Sequence, residues 1–200
     1  MNKEYKKLII RGTATVFIDW ANVHGWEKSL KRKISVEELF SYLSKYKEIK
    51  NIRFYFGTDT NEKSVHFLKH AAGIGYKITT KPVKYILAGA IDGQKIYIRK
   101  CDFDMETCID AHQLLKESFE SFIFFTGDGD YAPLYQMLIG LGKQVIVVYA
   151  SGHLGREIWD IKRGLFKAQL KNLMDIKNRP PDCSEGVIIS IIPPPKTMSI

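Results

Sequence analysis

The stretch SFIFFTGDGDY, Ser121 to Tyr131, joins an apolar run to two aspartates separated by a single glycine. A short apolar run bounded by glycine reads as a buried strand, which puts Asp128 and Asp130 in the turn at its C-terminal end. Open α/β sheets bind their ligands at that edge. ATVFID, residues 14–19, repeats the pattern earlier in the chain: an apolar run that stops on a carboxylate, Asp19.

Around these two runs, strands and helices alternate. SVEELFSYLSKY (35–46) carries Val36, Leu39, Phe40 and Leu43 at helical spacing behind Ser35 as N-cap, with Glu38 three residues on. NIRFYFG follows as a strand, NEKSVHFLKHAAG as a helix stopping at Gly73, and YKITTKPV as a strand broken by Pro82. KYILAGAIDGQKIYIR reads as an inserted hairpin turning at Asp92-Gly93. From Asp104 to Phe119 a helix has the apolar stripe Met105, Cys108, Ile109, Leu115 and Phe119, with His112 at its core edge. After SFIFFT come the helix YAPLYQMLIGLG, stopping at Gly140 or Gly142, and the strand KQVIVVYA. HLGREIWDIKRG reads as a short helix, and LFKAQLKNLM as an edge strand or a helix.

This alternation predicts an α/β fold: a three-layer α/β/α sandwich around a mostly parallel, Rossmann-like sheet, with the hairpin inserted. The expected division is a basic arm over 1–12, one domain over 13–175 and an irregular tail over 176–200. Within the tail, VIISII has the composition to pair with a sheet edge, a protein partner or a second copy of the chain.

At 200 residues, 45% hydrophobic and 26% charged, the chain is long enough to bury one core. No apolar stretch approaches the ~20 residues of a membrane span, and MNKEYKKLII has no secretory core. The expectation is a cytoplasmic protein with no membrane partner. Cys101, Cys108 and Cys183 form no CxxC pair, which argues against a disulfide framework and against structural zinc. The formal charge is +8 and the pI near 9.3. A basic surface can serve solubility alone, but a basic surface around an acidic pocket suits a polyanion.

In a parallel sheet all strand C-termini open on one edge, so distant acids can converge there. Asp19 ends the first strand, Asp128 and Asp130 follow the fourth parallel one, and Asp104 precedes the helix between them. Crowded carboxylates repel unless a proton or a cation intervenes. Magnesium or manganese prefers hard oxygen ligands and keeps several waters. Each residue also has a plainer reading. Asp128 and Asp130 would shape a turn and cap the next helix. Asn22 would hold the Asp19 carboxylate or a metal-bound water, or cap the turn after the strand. In KCDFDMETCID the acids Asp102, Asp104, Glu106 and Asp110 are all available; Asp104 is best placed, and Asp110 lies off the apolar stripe, where a solvated surface acid is the plain alternative. Thr126 would bond a ligand carboxylate or pack at the strand end. Lys28, Lys31, Arg32 and Lys33, or His153 and Arg156, are placed to track a phosphate chain, although a charge run also reads as a solvated face.

Taken together, FIDWAN, KCDFDMETCIDAHQL and FTGDGDYAPLYQMLIGLGKQVIVV resemble the NYN domains, a branch of the PIN-like nuclease superfamily, over roughly Thr13 to Leu173. The positions that match the family pattern are Asp19 and Asn22, Asp104 and Asp110, and Thr126, Asp128 and Asp130. The resemblance implies metal-dependent hydrolysis of RNA phosphodiesters, with magnesium or manganese held by Asp19, Asp104, Asp128 and Asp130. Asn22 and Thr126 would orient ligands, and Asp110 would be an outer acid or a second-metal ligand. Single-stranded RNA is the implied substrate. Two departures stand out: Trp20 replaces a common glycine, and KCDFD replaces a lysine-glycine approach to the helix. Trp20 would either stack on a base or cover the core. The rivals are an RNA-binding or scaffold module without turnover and a phosphatase-like hydrolase. The aspartyl-phosphate form of the latter is disfavoured because FIDWAN lacks an Asp-x-Asp pair and no Walker loop is present.

Overall fold

The computed structural model describes residues 6–59, 61–91 and 94–174. The expected tail, the first five residues of the basic arm, Cys183 and the Asp92-Gly93 turn lie outside the described residues. The strands are β1 (Ala14–Asp19), β2 (Ile49–Thr58), β3 (Lys77–Pro82), β4 (Lys84–Ile91), β5 (Gln94–Lys100), β6 (Ser121–Phe125), β7 (Gln144–Tyr149) and β8 (Leu165–Gln169). The helices are α1 (Trp20–Gly25), α2 (Glu27–Leu30), α3 (Val36–Leu43), α4 (Glu62–Ile74), α5 (Asp104–Lys116), α6 (Ala132–Gly140) and α7 (Arg156–Asp160).

Six strands form one sheet in the order β3, β2, β1, β6, β7, β8, and every pairing in it is parallel. Strand periodicity divides the core between the two faces. Val16 and Ile18 point to one side, with Trp20, Val23, Leu39 and Leu43 from α1 and α3. Phe17 points to the other, with Phe122, Phe124, Ala111, Leu114, Leu134 and Leu138. Phe17 and Phe124 stack at 4.7 Å between ring centroids. Helices therefore cover both faces, giving the expected three-layer α/β/α sandwich. Truncating Phe17 to alanine would cost about 3–5 kcal/mol, the range for a large core aromatic.

Local chemistry sets the element ends. Ser35 accepts the Glu38 N–H at 3.2 Å and caps α3. The helix α4 ends at Gly75, with φ 121°, two residues past the expected stop; Gly73 stays helical because nothing there requires the left-handed region. The ambiguous segment after α7 is a strand, β8, in parallel register with β7 from Val145 opposite Leu165 to Tyr149 opposite Gln169. On α5 the expected stripe holds at Cys108, Leu115 and Phe119, which pack into the core, and fails elsewhere. Thr107, Ala111 and Leu114 are buried, whereas Met105 and Ile109 are 68% and 53% exposed and His112 is exposed too. Small side chains let the helix lie close to the sheet and turn the bulkier apolar ones outward.

From β1 the sheet grows through β2 and β3 on one side, and from β6 through β7 and β8 on the other. The C-terminal ends of β1 and β6 thus flank the topological switch point, the crevice where open α/β sheets bind ligands.

Candidate active site

Ile18 pairs with Phe125, so Asp19 and Thr126 leave the sheet side by side. Asp19 caps α1: its Oδ1 accepts the Asn22 backbone N–H at 3.2 Å and its Oδ2 accepts the Asn22 side-chain amide at 3.0 Å. Asn22 therefore does hold the Asp19 carboxylate. Burial pushes that carboxyl above the usual aspartate range; the hydrogen bonds from Asn22 and Ala21 oppose the rise and the nearby Asp128 adds to it.

The neighbouring turn is built from its own side chains. Buried Thr126 accepts the Asp128 N–H on Oγ1 at 3.2 Å, and Asp128 Oδ1 accepts the Asp130 N–H at 3.1 Å. That second bond caps the single 3-10 turn Gly129–Tyr131. The turn-shaping role foreseen for these residues is present, with Asp128 half-buried and Asp130 exposed. A Cβ at Gly127 would lie 1.5 Å from the His153 carbonyl oxygen, and Gly155 N–H donates to the Gly127 carbonyl at 2.7 Å. The segment after β7 thus rests directly on the turn, and only glycine permits that approach.

Asp104 opens α5. Burial raises its carboxyl, the Tyr131 hydroxyl opposes the rise, and Asp128, Asp102 and Asp130 reinforce it by repulsion. Asp128 acts on both Asp19 and Asp104, so acids from three separate chain segments share one electrostatic neighbourhood. Tyr131 and Tyr135 are buried beside them, and the Tyr135 hydroxyl has no hydrogen-bond partner among the described residues. Lys100 stands on the rim, 3.1 Å from Asp102, and is raised chiefly by Asp102 and also by Asp104 and Asp130.

Asp110 is engaged elsewhere. Its Oδ1 lies 2.8 Å from Arg53 Nη1, and its Oδ2 accepts the Tyr55 hydroxyl at 2.6 Å. Neither Arg53 nor Tyr55 was expected at the site; the available signal was a charged residue inside the buried strand NIRFYFG, which needs a partner. Trp20 is buried against Phe54 and Phe67, with ring centroids at 5.2 and 5.5 Å, and covers the core. Lys28, Lys31, Arg32 and Lys33 lie in and after α2, and His153 and Arg156 are exposed on the segment against the acidic turn.

The sequence model of the NYN domain matches residues 13–160. This chain belongs to the NYN domain family. It has the PIN-like, nuclease-type fold of that family. It is 23% identical over 145 residues to the low amplitude and bright protein LabA of Synechococcus elongatus, covering 72% of this chain and 76% of that protein. Among solved structures, a protein of unknown function from Vibrio parahaemolyticus, VPA0982, superimposes with a TM-score of 0.62 at 18% identity. That likeness covers 87% of this chain and all of the other, and it shows the fold.

Among the described residues of this NYN domain, no three His, Cys, Asp or Glu side chains are gathered tightly enough to enclose a metal ion. The donor chemistry nonetheless fits a hydrated divalent cation. The acids are hard oxygen donors, they repel one another, and magnesium usually binds through one or two carboxylates while keeping waters. Asp19, Asp104, Asp128 and Asp130 are the residues that would hold it.

Proposed function

We propose that this NYN domain is a metal-dependent endoribonuclease acting on single-stranded RNA at the edge between β1 and β6. The supporting observation is the convergence of Asp19, Asp104 and Asp128 at the topological switch point of a basic protein. Two of these carboxyls are lifted by burial, so a cation is what would let all of them ionise together. Magnesium or manganese held there would supply Lewis-acid activation of water and neutralise charge building on the phosphate.

The residues of the chain do the rest. Asn22 locks the Asp19 rotamer with two hydrogen bonds, and Thr126 fixes the backbone that carries Asp128. Asp110 stands behind them as an outer acid whose charge Arg53 balances. Exposed Lys28, Lys31, His153 and Arg156 would guide the phosphate chain towards the crevice.

A second reading, an RNA-binding module without turnover, is favoured by the open spacing of the acids. Asp128→Asn discriminates the two. Under the nuclease reading it abolishes release of 5′-phosphate fragments from labelled RNA while the circular dichroism spectrum is unchanged; an unaltered cleavage rate in this variant refutes it.

A further inference from the structure

We propose that the β4–β5 hairpin is an arm that grips single-stranded RNA beside the acidic edge, with bases stacking on Tyr85 and Tyr97. This rests on the RNA reading above and adds the surface that holds the strand. Among the described residues the hairpin pairs only with itself. Tyr85 lies opposite Arg99, Leu87 opposite Tyr97, and Ala90 opposite Lys95. Cross-strand partners share a face, and alternate residues stay on it. One face therefore carries Tyr85, Leu87, Tyr97 and Lys95, with Arg99 at its foot paired to Asp59, and Tyr85 and Tyr97 are 43% and 37% exposed.

The base of the arm is fixed at the acidic edge. Val83 N–H donates to the Thr58 carbonyl at 2.9 Å, and Arg99 pairs with Asp59 at 3.1 Å. A Cβ on Gly57 would come within 2.8 Å of Val83 and 2.9 Å of Cys101, so the two feet of the hairpin close over the end of β2. Tyr55, two residues before Gly57, is the register partner of Asp19. On the other foot, Lys100 pairs with Asp102, and Asp104, two residues on, is the first residue of α5. The arm leaves the protein next to the carboxylates.

Charge selects the occupant. The described hairpin residues include no acid; Lys84 and Lys95 add cations along the arm, while Arg99 and Lys100 at its feet are paired with Asp59 and Asp102, and Asp92 is the one acid in the sequence between the arms. Aromatic rings interleaved with cations suit bases and phosphates in alternation and tolerate any sequence. The opposite face, with exposed Ile86 and Ile98, is where a second copy of the chain would compete for the assignment.

The test is fluorescence anisotropy of a short 5′-fluorescein oligouridylate with the full chain in EDTA, which reads binding apart from cleavage. The paired change Tyr85→Ala and Tyr97→Ala should weaken binding by about tenfold or more with an unchanged thermal melt, since both rings are exposed. Lys95→Ala should lower the slope of log K against log salt by about 0.7. If the wild type binds and the tyrosine pair binds equally well, the arm is refuted and the RNA reading stands. If the wild type binds no RNA at any salt, that reading fails and the arm with it. A wild-type dimer that the paired change Ile86→Ser and Ile98→Ser turns into a monomer, with RNA affinity untouched by the tyrosine pair, would assign the hairpin to a second copy and overturn the proposal.

Discussion

Arg53, in the middle of β2, sets its guanidinium 2.8 Å from the Asp110 carboxylate on α5, and the Tyr55 hydroxyl donates to the same carboxylate at 2.6 Å. Both charged side chains are largely out of water, with 6% and 16% of their surface exposed. This pair ties the strand beside Asp19 to the helix that begins with Asp104.

Removing one partner of a buried ion pair leaves an uncompensated charge, which costs about 3–5 kcal/mol. Arg53→Ala should therefore lower the urea-unfolding free energy by about 3 kcal/mol. Combining Arg53→Met with Asp110→Leu should recover most of that loss, because no buried charge remains. Equal losses in the single and double variants would show that the pair does not act in this way.

Gly127→Ala tests the contact between the acidic turn and the segment after β7. The new methyl would meet the His153 carbonyl at 1.5 Å, so one backbone must move. We expect a loss of about 1–3 kcal/mol, as for other overpacked sites, together with a fall in any RNA cleavage because Asp128 shifts with the turn. A wild-type melting temperature would contradict the packing described here.

The pH dependence follows from Asp19 and Asp104, both raised first of all by burial. A carboxyl whose folded-state pKa exceeds the unfolded value, about 3.9 for aspartate, stabilises the fold while protonated. That contribution is complete below the unfolded value and is lost as the pH rises through the raised folded one. Asp19→Asn should accordingly melt higher than wild type at neutral pH, and the difference should close in acid. Magnesium or manganese added at neutral pH should raise the wild-type melting temperature more than that of Asp19→Asn.

Much of this was legible in the sequence for one physical reason. The strands of a fully covered parallel sheet are continuous apolar runs, so ATVFID, SFIFF and KQVIVVYA announced themselves, and all three end on the same edge of the sheet. Asp19, Asn22, Thr126, Asp128 and Asp104 were readable because strand and helix ends fix their place. The short helices α1 and α2 were not, since six and four residues carry too little periodicity. The α5 face was read in part: Cys108, Leu115 and Phe119 do pack into the core, but Met105 and Ile109 are apolar yet exposed, and buried contacts are made by Thr107 and Ala111 as well. Arg53 and Asp110 meet only through the tertiary fold, and no local pattern connects them.

The most direct test of the proposed activity is a metal titration of RNA cleavage. Purified wild-type protein is incubated with 5′-labelled single-stranded RNA in EDTA and then with rising magnesium or manganese. Cleavage absent in EDTA, appearing with metal and leaving 5′-phosphate ends, is the expected result. RNA retained by the protein but uncut at every metal concentration would contradict a nuclease and leave the binding module as the function of this site.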